Sequence, residues 1–121
     1  MNWEHYENFE DHNFDCKDGC GKNNMNPSFM RRLQAARTIA DIPFYINSGS
    51  RCEDNNREEG GVSDSAHLGG RAADIRCSTS RNRAIIIKAA MMAGFTRIGI
   101  GNTFIHLDND HTKDPDVYWL Y

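Results

Sequence analysis

His67, Asp74 and His106 are the side chains of this 121-residue chain whose types and spacing suit a metal site, with Asp108 two positions beyond the last of them. His106 and Asp108 stand two apart in Phe104-Ile105-His106-Leu107-Asp108, an alternating stretch that predicts a strand. On a strand both face one side together with Phe104, while Ile105 and Leu107 face the other. Asp74 lies among Ala72, Ala73 and Ile75, which predicts a carboxylate on a nearly buried strand. A lone buried carboxylate is costly without a cation or donors. A metal ion meets that need, and so does an arginine such as Arg71 or Arg76. Gly69-Gly70 lets the chain turn sharply between His67 and Asp74. Two imidazoles and one carboxylate are a known zinc set, and three protein ligands leave a fourth position open, as catalytic zinc requires. The net positive charge of such a centre acidifies water and polarises a carbonyl.

The cysteines read differently. Cys16-x3-Cys20 lacks the spacing of a zinc knuckle, and Cys52 and Cys77 are far apart in the chain. Four reduced, partly buried thiols are expected, and no second metal cluster.

The elements that must hold these residues follow from periodicity and punctuation. Residues 1–24 read as an irregular arm, with Phe9 and Phe14 able to pin it to a core. A helix is expected from Pro27, capped by Asn26, with Phe29, Met30, Leu33, Ala36 and Ala40 inward and Pro43 as its stop. Residues 44–46 read as a short strand. Residues 51–71 are polar, glycine-containing and almost without apolar side chains, which predicts a long functional loop. A strand is expected over 72–76. A second helix is expected over 80–93, ended by Gly94, with Ile85, Ile86, Ala89, Met92 and Ala93 inward. Residues 97–100 and 104–108 flank Gly101-Asn102-Thr103 as a β-hairpin, and residues 117–121 form a last strand. The order leaves few parallel βαβ units. It predicts an α+β fold with a small, mainly antiparallel sheet packed with two helices, residues 1–121 forming a single domain.

Composition narrows the function classes. With 14 Lys+Arg against 17 Asp+Glu, the formal charge is −3, without the basic excess of a nonspecific nucleic-acid binder. Residues 1–18 hold six acids and one lysine, whereas residues 31–97 hold eleven basic residues and seven acids. A mildly basic centre suits an anionic substrate. No long apolar run predicts a membrane span. The acidic start Met1-Asn2-Trp3-Glu4 has no secretory character, so synthesis in a cytoplasm without a signal peptide is expected.

Taken together, Ser48-Gly49-Ser50-Arg51, Gly60-Gly61, Ser65-Ala66-His67-Leu68-Gly69-Gly70-Arg71-Ala72-Ala73-Asp74, Gly99-Ile100-Gly101 and Phe104-Ile105-His106-Leu107-Asp108 resemble the zinc D-Ala-D-Ala carboxypeptidases. That group includes phage peptidoglycan endopeptidases and has the hedgehog/DD-peptidase fold. The resemblance covers about residues 25–121 and is closest to short phage and bacterial members with a cysteine-bearing arm. It implies Zn²⁺ held by His67, Asp74 and His106. It implies that Arg51 binds a substrate carboxylate or a developing oxyanion, and that Asp108 supports the ligands. It further implies hydrolysis of a peptide bond in the stem peptide of the bacterial wall, as a carboxypeptidase or an endolysin-type endopeptidase. The expected partner is the peptidoglycan stem peptide, with no nucleic acid, no membrane and a monomeric state; a phage origin fits.

One departure stands out. Several members of that family carry a glutamate general base three residues before the last histidine, where this chain has Thr103. Thr103 takes no proton at neutral pH. Asp110, His111, Glu58, Glu59 and Asp64 are the candidates to replace it. The alternatives are a non-catalytic zinc-containing module of the same fold that binds wall peptide, and a structural protein that uses the fold without metal.

Overall fold

The hairpin that carries His106 is the centre of the molecule. In a computed structural model describing residues 1–121, β3 (Arg97–Ile100) and β4 (Phe104–Asp108) pair antiparallel, and β2 (Ala72–Arg76) lies antiparallel on the other side of β4. β1 (Ile46–Ser48) pairs antiparallel with β2 across a local irregularity. β5 (Val117–Leu120) runs parallel to β3 and closes the order β1-β2-β4-β3-β5. The α+β class with a mainly antiparallel sheet is therefore observed, with one parallel pair at its edge.

Alternation along β2 and β4 divides the sheet into two faces. Ala73, Ile75, Ile105 and Leu107 turn towards α1 (Pro27–Ala40) and α3 (Ser80–Met92) and are fully buried with Phe29, Leu33, Ile86 and Ile98. Asp74, His106 and Asp108 turn the other way, into the site. Asn26 caps α1 by accepting from the Ser28 and Phe29 amides. That helix ends at Ala40, where Asp41 takes a left-handed conformation with φ 53°, before Pro43 is reached.

Several expectations are corrected. The first strand lies at 46–48, not 44–46. Tyr45 remains next to the ladder, its carbonyl accepting from the Arg76 amide at 2.8 Å, but its side chain is exposed. Met92 is 63% exposed, and α3 buries Ala90 beside the expected Ile86 and Ala89. The polar segment 51–71 is not a bare loop. It contains a third helix, α2 (Glu53–Glu58), and a 3₁₀ turn at Ala66–Gly69. Its order comes from buried amides rather than apolar side chains: Asn56 accepts from Arg51 Nη1 at 3.2 Å and donates to the Val62 carbonyl at 2.8 Å. A hydrophobic pattern does not register that kind of packing. The arm holds two 3₁₀ turns, Trp3–His5 and Asp11–Phe14, and Tyr6, Phe9 and Phe14 join the core. No helix is long and apolar enough to cross a membrane.

Candidate metal centre

Cross-strand register places Asp74 directly opposite His106. His67 arrives from the 3₁₀ turn at 66–69, whose start is capped by Ser65 Oγ, accepting from the His67 amide. The turn ends at Gly70, with φ 69°. A Cβ there would stand 2.0 Å from the Asn24 carbonyl oxygen, so only glycine fits.

The three side chains converge. His67 Nε2 lies 3.2 Å and His106 Nδ1 2.9 Å from Asp74 Oδ1. The candidate ligand atoms all fall within 4.8 Å of one another. Donor atoms bound tetrahedrally to one zinc at about 2.0–2.1 Å stand about 3.3–3.4 Å apart, close to these separations.

The outer atom of each imidazole is also held. His67 Nδ1 donates to the Gly49 carbonyl at 2.8 Å; a carbonyl only accepts, so Nδ1 carries the proton and Nε2 turns its lone pair inward. His106 Nε2 donates to Asp108 Oδ2 at 2.7 Å, which leaves Nδ1 facing Asp74. Asp108 is itself held by Arg97 Nε at 2.7 Å, and the Arg97 guanidinium lies 5.1 Å over the Trp119 ring. Such outer partners orient ligating histidines and raise their basicity.

The charges agree with this arrangement. Burial pushes the Asp74 carboxyl up, but the two imidazoles, His106 ahead of His67, outweigh it and hold the carboxyl well below the usual range. Burial pushes His106 down, and Asp108 and Asp74 outweigh it and raise it. Asp108 is lowered in the same way, burial being overcome first by His106. His106 thus directs a proton at the same carboxylate oxygen that the His67 Nε2 lone pair faces, and a divalent cation at that point takes the place of that proton. The donor set fits such an ion.

Arg51 is 6% exposed and engaged at all three nitrogens. Nη2 donates to Asp74 Oδ2 at 3.1 Å, Nε to Ser48 Oγ at 2.9 Å and Nη1 to Asn56 Oδ1. Of its five N–H donors, two remain, and the residue lines the cleft. Sequence reasoning placed Arg51 beside the site but missed Ser48 and Asn56 as its partners, and the Gly49 carbonyl as the partner of His67. A serine or asparagine in a polar loop carries no distinguishing signal.

The cleft above the three side chains measures about 540 Å³. Trp119 and Tyr121 form one wall, packed where Gly99 has no Cβ; an added Cβ would stand 2.7 Å from both rings. Glu59 and Lys113 line it as well. Of the proposed bases, only Glu59 reaches the cleft wall. Asp110 is engaged by Lys113 and Thr112, and His111, Glu58, Asp64 and Thr103 do not line it.

The cysteine expectation needs correction. All four are free thiols, yet Cys16, Cys20 and Cys52 meet Asp18 in a second group of potential ligands. The fold brings Cys52 to the arm across 36 positions from Cys16, which spacing within the arm could not reveal.

A metal-fitted His/Asp/His centre on the open face of a small α+β sheet is the frame in which known proteins compare. The family model of peptidase M15 matches residues 5–108, and the chain belongs to that family. The zinc D-Ala-D-Ala carboxypeptidase of Streptomyces albus G is 38% identical over 89 residues, 72% of this chain. That stretch is 34% of the relative, so the chain spans about a third of its length. The crystal structure of the Serratia marcescens L-Ala D-Glu endopeptidase ChiX has the same fold, with a TM-score of 0.58 and 20% identity over 70% of this chain and 80% of that one.

Proposed function

We infer that this peptidase is zinc-dependent and cuts a peptide bond in the stem peptide of bacterial peptidoglycan, at a D-Ala-D-Ala end or a neighbouring bond. The observation that carries the reading is the convergence of His67 Nε2, Asp74 Oδ1 and His106 Nδ1, each residue held from behind by a protein group. Zn²⁺ in that position supplies Lewis acidity, polarising a carbonyl and acidifying water. The family membership and the zinc carboxypeptidase relative support the same reading.

The chain's own residues divide the remaining work. Arg51 is a positioning residue: it fixes Asp74 through Oδ2 and leaves Oδ1 for the ion. Asp108 fixes the His106 ring. Glu59 is the cleft carboxylate outside both networks and is assigned as general base in place of the absent glutamate at Thr103. Trp119 and Tyr121 present apolar rings to the stem peptide.

Purified protein should release fragments from sacculi when supplied with zinc and stop when a chelator is added. Glu59→Gln should keep zinc and lower kcat by about 10²–10⁴. Fragment release unaffected by chelator would end the metallopeptidase reading. The rival reading, a module that binds wall peptide without cutting it, draws on the exposed position of Thr103 away from the cleft. Zinc-dependent binding to sacculi with no released fragment would favour it.

A further inference from the structure

Next in the chain to Arg51, the arm and the start of α2 bring four acidic side chains together. Cys16 Sγ lies 3.7 Å from Cys52 Sγ and donates to Asp18 Oδ1 at 3.1 Å. Cys52 Sγ donates to the other oxygen, Asp18 Oδ2, at 2.9 Å. Cys20 completes the group, with all four ligand atoms within 4.8 Å of one another. Two sulfurs on one zinc at about 2.3 Å stand about 3.8 Å apart in a tetrahedron, which the Cys16–Cys52 separation matches.

The backbone is arranged to hold these groups. The loop 16–22 is closed by the Cys16 amide on the Lys22 carbonyl at 2.9 Å and turns through Gly19, with φ 79°. The Cys52 amide points at Cys16 Sγ and the Asn55 amide at Cys52 Sγ, each at 3.4 Å. Amides aimed at sulfur favour its thiolate form, the form that binds metal. The Cys20 amide holds Asp18 Oδ1 at 3.0 Å.

No cationic side chain is hydrogen-bonded to the four. The nearby Lys22 ammonium is spent on the Arg51 and Leu68 carbonyls, at 2.8 and 2.9 Å. Three thiols and a carboxylate crowded together share protons that a cation would displace.

We propose that Cys16, Cys20 and Cys52, with Asp18, bind a second divalent metal ion of zinc type, distinct from the His/Asp/His centre. Soft sulfur donors select zinc over magnesium or calcium. Four protein donors close the coordination shell, which makes the site structural, not catalytic. It pins the arm to the segment that carries Arg51, so it bears on the neighbouring centre through position alone.

The test uses the full chain purified anaerobically under reductant and titrated with Co²⁺. Tetrahedral thiolate–cobalt coordination produces a charge-transfer band in the near ultraviolet that histidine and carboxylate ligands do not. The band should appear in the wild type and persist in His67→Ala, which lacks only the other centre. It should vanish in Cys52→Ser. Cys20→Ser changes an exposed residue and keeps the core intact, and it should weaken metal affinity at this site by at least about 10-fold in competition with a chelating dye. Elemental analysis should count two zinc ions in the wild type and one in His67→Ala. A folded wild type without the band, or with the same band in Cys20→Ser and Cys52→Ser, overturns the proposal. So does an intact mass showing two cysteines of the cluster joined as a disulfide under these conditions. None of these readouts involves peptide turnover, so failure of the peptidase reading leaves them standing.

Discussion

Asp74 uses its two oxygens for different purposes, and that division predicts how Arg51 acts. Oδ1 faces both imidazoles, while Oδ2 is taken by Arg51 Nη2. Lysine cannot copy a fork that reaches Ser48, Asn56 and Asp74 at once. Arg51→Lys should therefore free the carboxylate to rotate and weaken zinc at this centre by about 10–100-fold, as loss of an outer partner does. Excess zinc should then restore most of kcat. Kinetics at saturating zinc decide the matter: wild-type zinc affinity with kcat still down by about 10²–10³ would assign the guanidinium to the oxyanion instead.

The elements place these residues more tightly than their spacing implied, and Gly70 shows the limit. It sits at φ 69° between the turn that carries His67 and the strand that carries Asp74, with its carbonyl accepting from the Asn26 amide at 2.9 Å. Gly70→Ala adds left-handed strain of about 1–3 kcal/mol to a backbone collision with Asn24. The free energy of unfolding should fall by at least that much, read as a lower urea midpoint with unchanged m-value. Gly69→Ala, with nothing within 4 Å of the new Cβ, should stay within about 0.5 kcal/mol of wild type. Equal costs at the two positions would show that the turn is not held against the arm. The hairpin, the sheet face bearing His106 and Asp108, and the Asn26 cap were all legible, because alternation and capping are local rules. The order within 51–71 was not. Asn55 and Asn56 are buried in a segment whose polarity predicted a loop, and the Cys16–Cys52 meeting depends on the arm folding back, which no local pattern encodes.

At the scale of the whole molecule, we propose that residues 1–121 act as one domain and that the arm is part of the machinery. Phe14 is fully buried, with the Trp3 ring stacked 5.5 Å from it and Phe9 edge-on at 5.5 Å. Its carbonyl accepts from the Ser50 amide at 2.9 Å, and its side chain fills the space beside Gly49, where an added Cβ would stand 2.9 Å away. The carbonyl of that same Gly49 receives the proton of His67 Nδ1. One glycine thus joins the aromatic cluster of the arm to a candidate metal ligand. Phe14→Ala should cost about 3–5 kcal/mol through the cavity it leaves. Against a usual total of 5–15 kcal/mol, that is a large share of the stability. Because the cavity opens against Gly49, zinc affinity at the His/Asp/His centre should fall together with Tm, although Phe14 touches no ligand. A chain lacking residues 1–15 should lose both by more. If that shortened chain instead melts and binds zinc as the full chain does, the arm is a dispensable appendage and the domain begins after it.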